Sequence, residues 1–364
     1  MKVALSHDWL NGMRGGEKCL EVLCELYPAS PIHTLFREPG KISGPIAEQP
    51  IRTSRLQRFP KVYSQYRNYL PFFPGAIESF NLEGYDLVIS TSHCVAKGIR
   101  KPRGAKHLSY CFTPMRYAWC LFEEYFGRKN ALSKAAIQIA LKRLKRWDLE
   151  SNDRVDRFVA ISRHIQKRIK EFYGRDSDVV YPPAATDFYT PDETVRREDF
   201  FLIVSALVPY KRLDVAVQAF NRLGRRLVVI GDGPEAPRLK ELAKKNVTFR
   251  GWQSDENIRD HYRRASALIF PGEEDFGIVP VEAQACGLPV IALGRGGALE
   301  TVEAGKTGLF FEEPSEEALC EAVLSFEAGA FAPEDIRANS LRFGRQRFKD
   351  EMAALVRGFA GEGR

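Results

Sequence analysis

Short apolar runs alternate with amphipathic stretches along the second half of the chain. The runs have the length of strands, and the stretches between them have the apolar spacing of helices. The predicted strands are Phe200–Ser205, Leu227–Ile230, Val247–Phe249, Ala267–Phe270, Pro289–Leu293 and Gly308–Phe311. The predicted helices are Leu213–Leu223, Pro234–Lys244, Asp255–Arg264, Pro280–Cys286 and Glu316–Phe326. This alternation indicates βαβ units and a parallel sheet that is covered on both faces.

The first half has the same alternation, less regularly. Its predicted strands are Val3–Ser6, Leu87–Ser90, Lys106–Cys111, Arg157–Ile161 and Val179–Val180. Its predicted helices are Glu17–Leu26 and a segment that Ser162 caps and that runs toward Tyr173. The chain therefore has the pattern of an α/β protein throughout.

A double proline, Pro182-Pro183, marks a stiff connection near the middle of the chain. We predict a Rossmann-like domain over 1–180, a second over 181–344, and a helix over 345–364 that packs back on the first domain. Two such domains leave a cleft, and ligands of parallel sheets bind beyond the carboxyl ends of the strands. Functional residues are therefore expected just after strands.

Composition and cysteine content indicate the cellular compartment. The chain of 364 residues is 44% hydrophobic and 28% charged, as in ordinary globular proteins. No apolar run approaches the roughly 18 residues that span a bilayer, and no signal peptide is predicted. Seven cysteines, none at a C-x-x-C spacing, are typical of reduced thiols in a cytoplasmic protein. They are Cys19, Cys24, Cys94, Cys111, Cys120, Cys286 and Cys320.

Charge is divided unevenly between the halves. Residues 1–180 hold 30 Lys and Arg against 18 Asp and Glu, a net of +12, and the rest hold 24 against 29, a net of −5. A basic half suggests a contact with something anionic, such as nucleic acid or a phospholipid surface. A solvated basic face explains the imbalance equally well.

The segment after the strand Ala267–Phe270 is the first candidate site. Pro280 suits the first helical position, so the backbone N–H groups around Phe276–Val281 are expected to face the cleft and to bind phosphate or sugar oxygens. Glu274 precedes this helix and Glu282 is predicted in its first turn, where carboxylates hold hydroxyl groups. The alternative is an ordinary capped helix whose acidic residues favour its dipole.

Cations and glycines follow other predicted strands. Lys211 and Arg212 come after Phe200–Ser205, where they would neutralise a diphosphate leaving group. Glycine turns let a backbone approach phosphate closely. The glycines concerned are Gly15 and Gly16 near the N-terminus, Gly231 and Gly233, and Gly294, Gly296 and Gly297.

Metal and nucleophile chemistry have weak support. No His, Cys or carboxylate cluster has metal-ligand spacing, although the trio Glu273, Glu274 and Asp275 could hold a divalent ion. No Walker A loop or nucleophile elbow occurs. Cys286 lies in a helix that has the pattern of core, which disfavours a nucleophilic thiol.

These motifs together resemble the signature of retaining family-four glycosyltransferases, and the resemblance spans nearly the whole chain. The residues that carry it are Glu274-x7-Glu282 with Phe-Gly-Ile between, Gly287-Leu-Pro-Val-Ile, Pro209-Tyr210-Lys211-Arg212 and Gly15-Gly16. Two further segments resemble the bacterial mannosyltransferase branch that builds O-antigens and exopolysaccharides. They are His7-Asp8-Trp9-Leu10 and the segment from Tyr110 to Trp119.

The resemblance implies the GT-B fold, with two Rossmann-like domains whose parallel sheets face each other across a cleft. It implies that Glu274 and Lys211 act in catalysis, with Glu274 on hydroxyls of the transferred sugar and Lys211, helped by Arg212, on the diphosphate. Glu282 would hold the ribose. Backbone contacts to the donor would come from Phe276, Gly277, Ile278 and Val279, and from Gly15 and Gly16 of the other domain. Such enzymes need no metal ion or other cofactor and retain the anomeric configuration.

Two positions depart from the family pattern. Phe112 stands where the branch usually has a histidine that faces the reacting sugar. Ala206 stands where the family often has an arginine. Arg14, Arg116 or Arg212 would have to compensate, and Phe112 would instead pack against a sugar or the acceptor.

Residues 52–74 indicate which anionic partner the basic half contacts. They interleave cations with aromatic residues, which suits contact with the inner membrane surface, where lipid-linked saccharide acceptors of the family lie. RNA would suit the same residues, but no RNA-binding signature accompanies them, so no nucleic acid is predicted. A packed helix pair with a basic rim is the structural alternative.

We therefore predict a hexosyltransferase that moves mannose from GDP-mannose onto a glycan or lipid-linked saccharide during surface polysaccharide synthesis, including lipopolysaccharide. It would be cytoplasmic, peripheral on the membrane face. Phe112 and Ala206 keep open a catalytically weak member that binds sugar nucleotide and assists another transferase. A GT-B epimerase that acts on UDP-sugars is a third hypothesis.

Overall fold

The computed structural model describes residues 1–119 and 131–361. Cys120 and the last three residues of the predicted C-terminal helix lie outside this part of the chain. Within it the chain forms two compact units, and it passes between them twice. Of the described residues, unit 1 contains 1–119, 131–183 and 348–361, and unit 2 contains 184–347.

Unit 1 is built on a seven-stranded sheet in the order β3-β2-β1-β4-β5-β6-β7, with every neighbouring pair parallel. The strands are β1 Val3–His7, β2 Ile32–Thr34, β3 Ile51–Thr53, β4 Leu87–Ser92, β5 Lys106–Cys111, β6 Arg157–Ala160 and β7 Ser177–Val179. The described helices are α1 Gly15–Leu26, α2 Gly44–Ala47, α3 Val62–Gln65, α4 Phe73–Glu78, α5 Arg116–Trp119, α6 Ala131–Glu150 and α7 Arg163–Tyr173.

Two strands of unit 1, β2 and β3, are absent from the predicted set. Each has only three residues, with a polar residue at the centre, His33 in β2 and Arg52 in β3. Such short strands show no period of their own. They form because β1 offers a parallel edge to β2, and β2 in turn offers one to β3.

Unit 2 is built on a six-stranded parallel sheet in the order β10-β9-β8-β11-β12-β13. The strands are β8 Phe201–Val204, β9 Leu227–Ile230, β10 Val247–Gly251, β11 Ala267–Phe270, β12 Val290–Leu293 and β13 Gly308–Phe311. The helices are α8 Leu213–Leu223, α9 Ala236–Leu242, α10 Asp255–Arg264, α11 Ile278–Ala285, α12 Ala298–Thr301, α13 Glu316–Ser325 and α14 Pro333–Leu341. A last helix, α15 Arg345–Gly361, runs from unit 2 into unit 1.

Both faces of the unit 2 sheet are buried. Phe201 and Ile203 of β8 belong to one apolar cluster, which includes residues of α8 and α13. Leu202, between them, belongs to a second cluster on the other face, with Tyr262 of α10 and Ala283 of α11. Alternate residues of one strand therefore lie in different cores, as a parallel sheet covered by helices requires. The predicted α/β fold with two parallel sheets is confirmed.

The basic and aromatic residues of segment 52–74 separate in the fold. Its cations Arg52, Arg55, Arg58, Lys61 and Arg67 are exposed. Most of its aromatic rings pack on the core of unit 1 instead, including Phe59, Tyr63, Tyr66, Tyr69 and the buried Phe73. Phe72 is the exception, at 58% exposed. Contact with a membrane surface stays a prediction, and within residues 1–119 and 131–361 no helix is long and apolar enough to cross a bilayer.

Candidate active site

The carboxyl end of the unit 2 sheet contains a topological switch point. From β8 the chain moves outward through β9 and β10, then returns to β11 on the other side of β8 and continues through β12 and β13. The loops that follow β8 and β11 therefore leave neighbouring strands and turn in opposite directions. Ligands of parallel α/β sheets bind in the crevice that forms at such a point.

Lys211 and Glu274 meet at this switch point. Lys211 follows β8 and Glu274 follows β11, and the lysine Nζ forms an ion pair with Glu274 Oε1. Their side chains are only 13% and 19% exposed. Gly272 permits the two loops to approach each other, because a Cβ there would lie 2.8 Å from the carbonyl oxygen of Lys211. The sequence predicted both residues for the donor site, and the structure adds that they contact each other.

The glycine turns after β9 and β12 join these loops together. A Cβ on Gly231 would lie 1.9 Å from the carbonyl oxygen of Ser205, and one on Gly233 would lie 2.4 Å from that of Leu207. Leu207 N–H also donates to the carbonyl of Asp232 at 2.9 Å. These two glycines are needed for backbone-to-backbone packing, which differs from the phosphate contact that their sequence suggests.

Gly296 and Gly297 support the Glu274 loop in the same way. A Cβ on Gly296 would lie 2.4 Å from the carbonyl oxygen of Glu274, and one on Gly297 would lie 2.3 Å from the Cα of Phe276. The Gly297 N–H donates to the Glu274 carbonyl at 2.7 Å. The position of Glu274 therefore depends on the loop after β12.

The helix that follows Glu274 begins earlier than predicted. Its first residue is Ile278, and Gly277 caps it in a left-handed conformation with φ of 88°. The prediction that Pro280 occupies the first position is wrong, since it lies third, and Glu282 lies beyond the first turn. The glycine sets the start, because its positive φ ends the loop before the proline is reached. The N–H groups of Ile278 and Val279 occupy the first two positions, where an α-helix leaves donors without intrahelical partners.

A buried polar network anchors α11 from behind. Gln284 Nε2 donates to the carbonyl of Thr301 at 2.8 Å, and Asn339 Nδ2 donates to Gln284 Oε1 at 2.7 Å. Arg337 donates to the carbonyl of Ala285 at 2.5 Å, which places a cation at the negative end of the helix dipole. Gly287, in a left-handed conformation with φ of 72°, follows the C-cap residue Cys286. The network holds the C-terminal end of α11 against α12 and α14.

Arg212 has a strained backbone and a separate set of contacts. Its φ of 52° and ψ of 37° are left-handed, which is uncommon for a residue with a side chain. The guanidinium donates to the carbonyl of Pro314 at 3.2 Å and lies 3.5 Å from Asp214 Oδ1. Its role as a helper of Lys211 on a diphosphate stays a prediction. Ala206, where the family often has arginine, is exposed in the same loop.

Gly15 and Gly16 lie in unit 1, as the first two residues of α1. The Arg14 N–H before them donates to Glu17 Oε2 at 3.0 Å. A Cβ on Gly16 would lie 3.3 Å from the ring of Phe112, whereas Gly15 has open space around it. The aromatic ring at position 112 therefore packs directly on the start of α1. The other predicted donor contacts are all in unit 2.

Cys286 has the character of a core residue. It is buried, and burial raises the pKa of its thiol to about 12. A thiol of this kind is protonated at neutral pH and is a poor nucleophile. The six cysteines that the structure describes are buried and form no disulfide. In the described ranges, no three His, Cys, Asp or Glu side chains are grouped so that they could hold a metal ion.

Two residues at the switch point of unit 1 were missed as candidates. Asp8 follows β1 and His93 follows β4, and these strands are neighbours from which the chain diverges. Their positions could have identified them, because functional residues of this fold lie just after strands. It was hidden because the predicted strand ended at Ser90, two residues before the observed end at Ser92.

The two parallel-sheet units and their switch points define the class of the protein as GT-B. Solved structures with this fold align over nearly the whole chain. HepE of Anabaena in complex with UDP has a TM-score of 0.70 and 18% identity, and it covers 98% of this chain and 100% of its own. Sucrose-phosphate synthase of Thermosynechococcus elongatus has a TM-score of 0.73 and 17% identity, with 98% of both chains covered.

Sequence comparison adds the family. Residues 190–342, most of unit 2, match the family described as Glycosyl transferases group 1. This match and the GT-B structures confirm the predicted resemblance to family-four glycosyltransferases with the GT-B fold.

Curated relatives match part of the chain. A GDP-mannose-dependent alpha-(1-6)-phosphatidylinositol monomannoside mannosyltransferase of Mycobacterium tuberculosis (strain CDC 1551 / Oshkosh) is 32% identical over 201 residues, 47% of this chain and 52% of that protein. A D-inositol 3-phosphate glycosyltransferase of Mycobacteroides abscessus is also 32% identical over 201 residues, 49% of this chain and 43% of that protein. The chain thus spans about half the length of the curated relatives it matches.

Proposed function

We propose that this protein is a retaining glycosyltransferase that binds a nucleotide-sugar donor at the switch point of unit 2. The observation that carries the proposal is the Lys211–Glu274 ion pair beside the start of α11. It combines a cation for a diphosphate, a carboxylate for sugar hydroxyls and unpaired helix N–H groups in one place. The match of unit 2 to a glycosyltransferase family supports it.

The ion pair suits an anionic donor for an electrostatic reason. An isolated carboxylate at Glu274 would repel a diphosphate, but the ammonium of Lys211 makes the pair neutral. When the donor binds, Lys211 can contact phosphate oxygens while Glu274 accepts hydrogen bonds from hydroxyls of the hexose. Negative charge then builds on the leaving diphosphate beside a cation that is already in place, which lowers the barrier.

We propose mannose from GDP-mannose as the transferred group. The support is the similarity to a GDP-mannose-dependent mannosyltransferase, together with the branch-like segments around Asp8 and Phe112. The acceptor would be a glycan or a lipid-linked saccharide in surface polysaccharide synthesis. Because Lys211 supplies the positive charge, turnover would need no metal ion and no other cofactor.

The test is turnover of a donor panel by the purified chain. GDP-mannose, UDP-glucose and a dTDP-sugar are first compared by thermal shift, since a ligand at 100 times its Kd stabilises the folded protein by about 2.7 kcal/mol. We expect the largest shift with GDP-mannose. Release of GDP, with the α-configuration retained in the product and full rate in EDTA, is then expected in the presence of a lipid-linked saccharide.

The alternatives give different results in the same assay. Nucleotide binding without turnover of any donor, with or without acceptor, would support the catalytically weak member. A UDP-sugar that changes its stereochemistry without an acceptor would support the epimerase. A glycoside product of inverted configuration would contradict the retaining mechanism.

A further inference from the structure

The carboxylate of Asp8 is held by four backbone N–H groups at the switch point of unit 1. Oδ2 accepts from His93 at 2.7 Å and from Cys94 at 3.0 Å, and Oδ1 accepts from Val95 and Ala96 at 2.7 Å each. Burial alone would raise the pKa of Asp8, but the imidazole and backbone N–H of His93, together with His7, lower it to about 2. Asp8 is therefore a fixed, ionised group in the interior.

The imidazole of His93 completes this arrangement. Its Nδ1 lies 3.0 Å from Asp8 Oδ2, so in the neutral ring the proton on Nδ1 is donated to the carboxylate and Nε2 is an acceptor. The side chain is 35% exposed although Asp8 is fully buried. Since Nδ1 contacts the buried carboxylate, Nε2 is the ring nitrogen that remains for a ligand.

Two aromatic rings lie beside the imidazole. Trp9 packs edge-on against His93 with ring centroids 4.6 Å apart, and the half-buried Phe112 lies 6.4 Å away. A nitrogen acceptor among aromatic faces suits a saccharide, whose hydroxyls donate hydrogen bonds and whose C–H faces pack on rings. His7, on the adjacent strand, offers a contrast, because it is 2% exposed and its Nδ1 is bonded to Thr91 Oγ1 at 2.7 Å.

We propose that His93, oriented by Asp8, binds a hydroxyl group of a saccharide substrate through Nε2. The proposal rests on the glycosyltransferase function proposed above and adds a substrate-binding residue in unit 1. Asp8 is the positioning residue, since it fixes the tautomer and the ring of His93. The hydroxyl can belong to the hexose of the donor or to the acceptor saccharide, and both present the same chemistry.

Two substitutions separate binding from structural support. In His93→Asn the amide nitrogen replaces Nδ1 and keeps the contact with Asp8, but nothing replaces Nε2. In His93→Gln the amide reaches the position of Nε2, but the contact with Asp8 is lost. We expect His93→Asn to raise the saccharide KM about tenfold with little loss of stability, and His93→Gln to recover most of the affinity. A merely structural histidine would give the reverse order, and that result would overturn the proposal.

Separate KM values for the donor and the acceptor identify which of them carries the hydroxyl. A raised KM for donor hydrolysis without acceptor assigns it to the hexose of the donor, and a raised KM for the acceptor alone assigns it to the acceptor. His261→Ala is the control, because His261 lies on α10 of unit 2 and its Nδ1 forms a hydrogen bond within that helix, to the carbonyl of Asn257. We expect wild-type constants from it.

Imidazole ¹⁵N spectra test the site separately from turnover. The His93 signals, assigned from their loss in His93→Gln, are expected to show a proton on Nδ1 and to shift on addition of methyl α-mannoside or GDP-mannose. If the wild type turns over no donor but the signals shift, the proposed function fails and the saccharide site stands. If turnover is normal and neither ligand moves the signals at saturation, the saccharide site fails and the proposed function stands.

Discussion

We expect Lys211→Ala to lower kcat/KM for the donor by about 10²–10³, because it removes a preorganised electrostatic group. The substitution has two effects in the same direction. It removes the cation that stabilises charge on the leaving diphosphate, and it leaves the carboxylate of Glu274 without its partner in a site where both side chains are mostly buried. Steady-state kinetics with the donor identified in the panel measure the change.

Two further variants distinguish the effect of the positive charge at position 211 from the effect of losing a lysine side chain. Lys211→Arg keeps the positive charge and is expected to retain more activity than Lys211→Ala, although its planar group does not reproduce a point charge. Lys240→Ala, at an exposed position of α9, is the matched control and should leave turnover unchanged. Wild-type kcat/KM in Lys211→Ala, or an equal loss in the control, would remove Lys211 from the reaction.

We expect Gly297→Ala to destabilise unit 2 by about 3 kcal/mol, which is at the upper end of the cost of overpacking. The new Cβ would lie 2.3 Å from the Cα and carbonyl oxygen of Phe276. These are backbone atoms, so no side-chain rotation relieves the contact, and the loop that carries Glu274 has to move. Donor affinity should therefore fall together with stability. Urea denaturation and donor titration measure the two losses.

The control for this substitution lies in the same unit. A Cβ on Gly329 would meet no atom within 4 Å, and this glycine has no positive φ, so Gly329→Ala removes a glycine without a new contact. We expect it to be neutral or slightly stabilising, because alanine restricts the unfolded chain. Equal stability of Gly297→Ala and Gly329→Ala would show that the packing of the Glu274 loop on the loop after β12 tolerates an extra carbon.

Much of the unit 2 fold could be predicted because its strands are continuous apolar runs. Leu227–Ile230, Ala267–Phe270 and Gly308–Phe311 have the predicted bounds. The short strands β2 and β3 could not be recognised, since each has three residues with a polar residue at the centre. They are strands because they pair in sequence onto the edge of β1. The start of α11 was misplaced for a similar reason, because a left-handed glycine outweighed the preference of proline for the first position.

The candidate site was predictable as separate residues and not as contacts. Lys211 and Glu274 were each recognised from their positions after strands, but their pairing depends on β8 and β11 being neighbours, which the order of segments along the chain does not state. The packing of Gly231, Gly296 and Gly297 on other loops is likewise a property of the assembled sheet. His93 was missed because its strand extends two residues beyond the apolar run.

Amide hydrogen exchange with and without saturating GDP-mannose locates the donor site most directly. Ligand binding slows exchange where backbone groups are contacted or stabilised. We predict slower exchange in residues 205–213 and 272–282 of the wild type, the loops that follow β8 and β11, and little change there in Lys211→Ala. Slower exchange confined to other parts of unit 2, or the same protection in Lys211→Ala, would contradict a donor site built on Lys211 and Glu274.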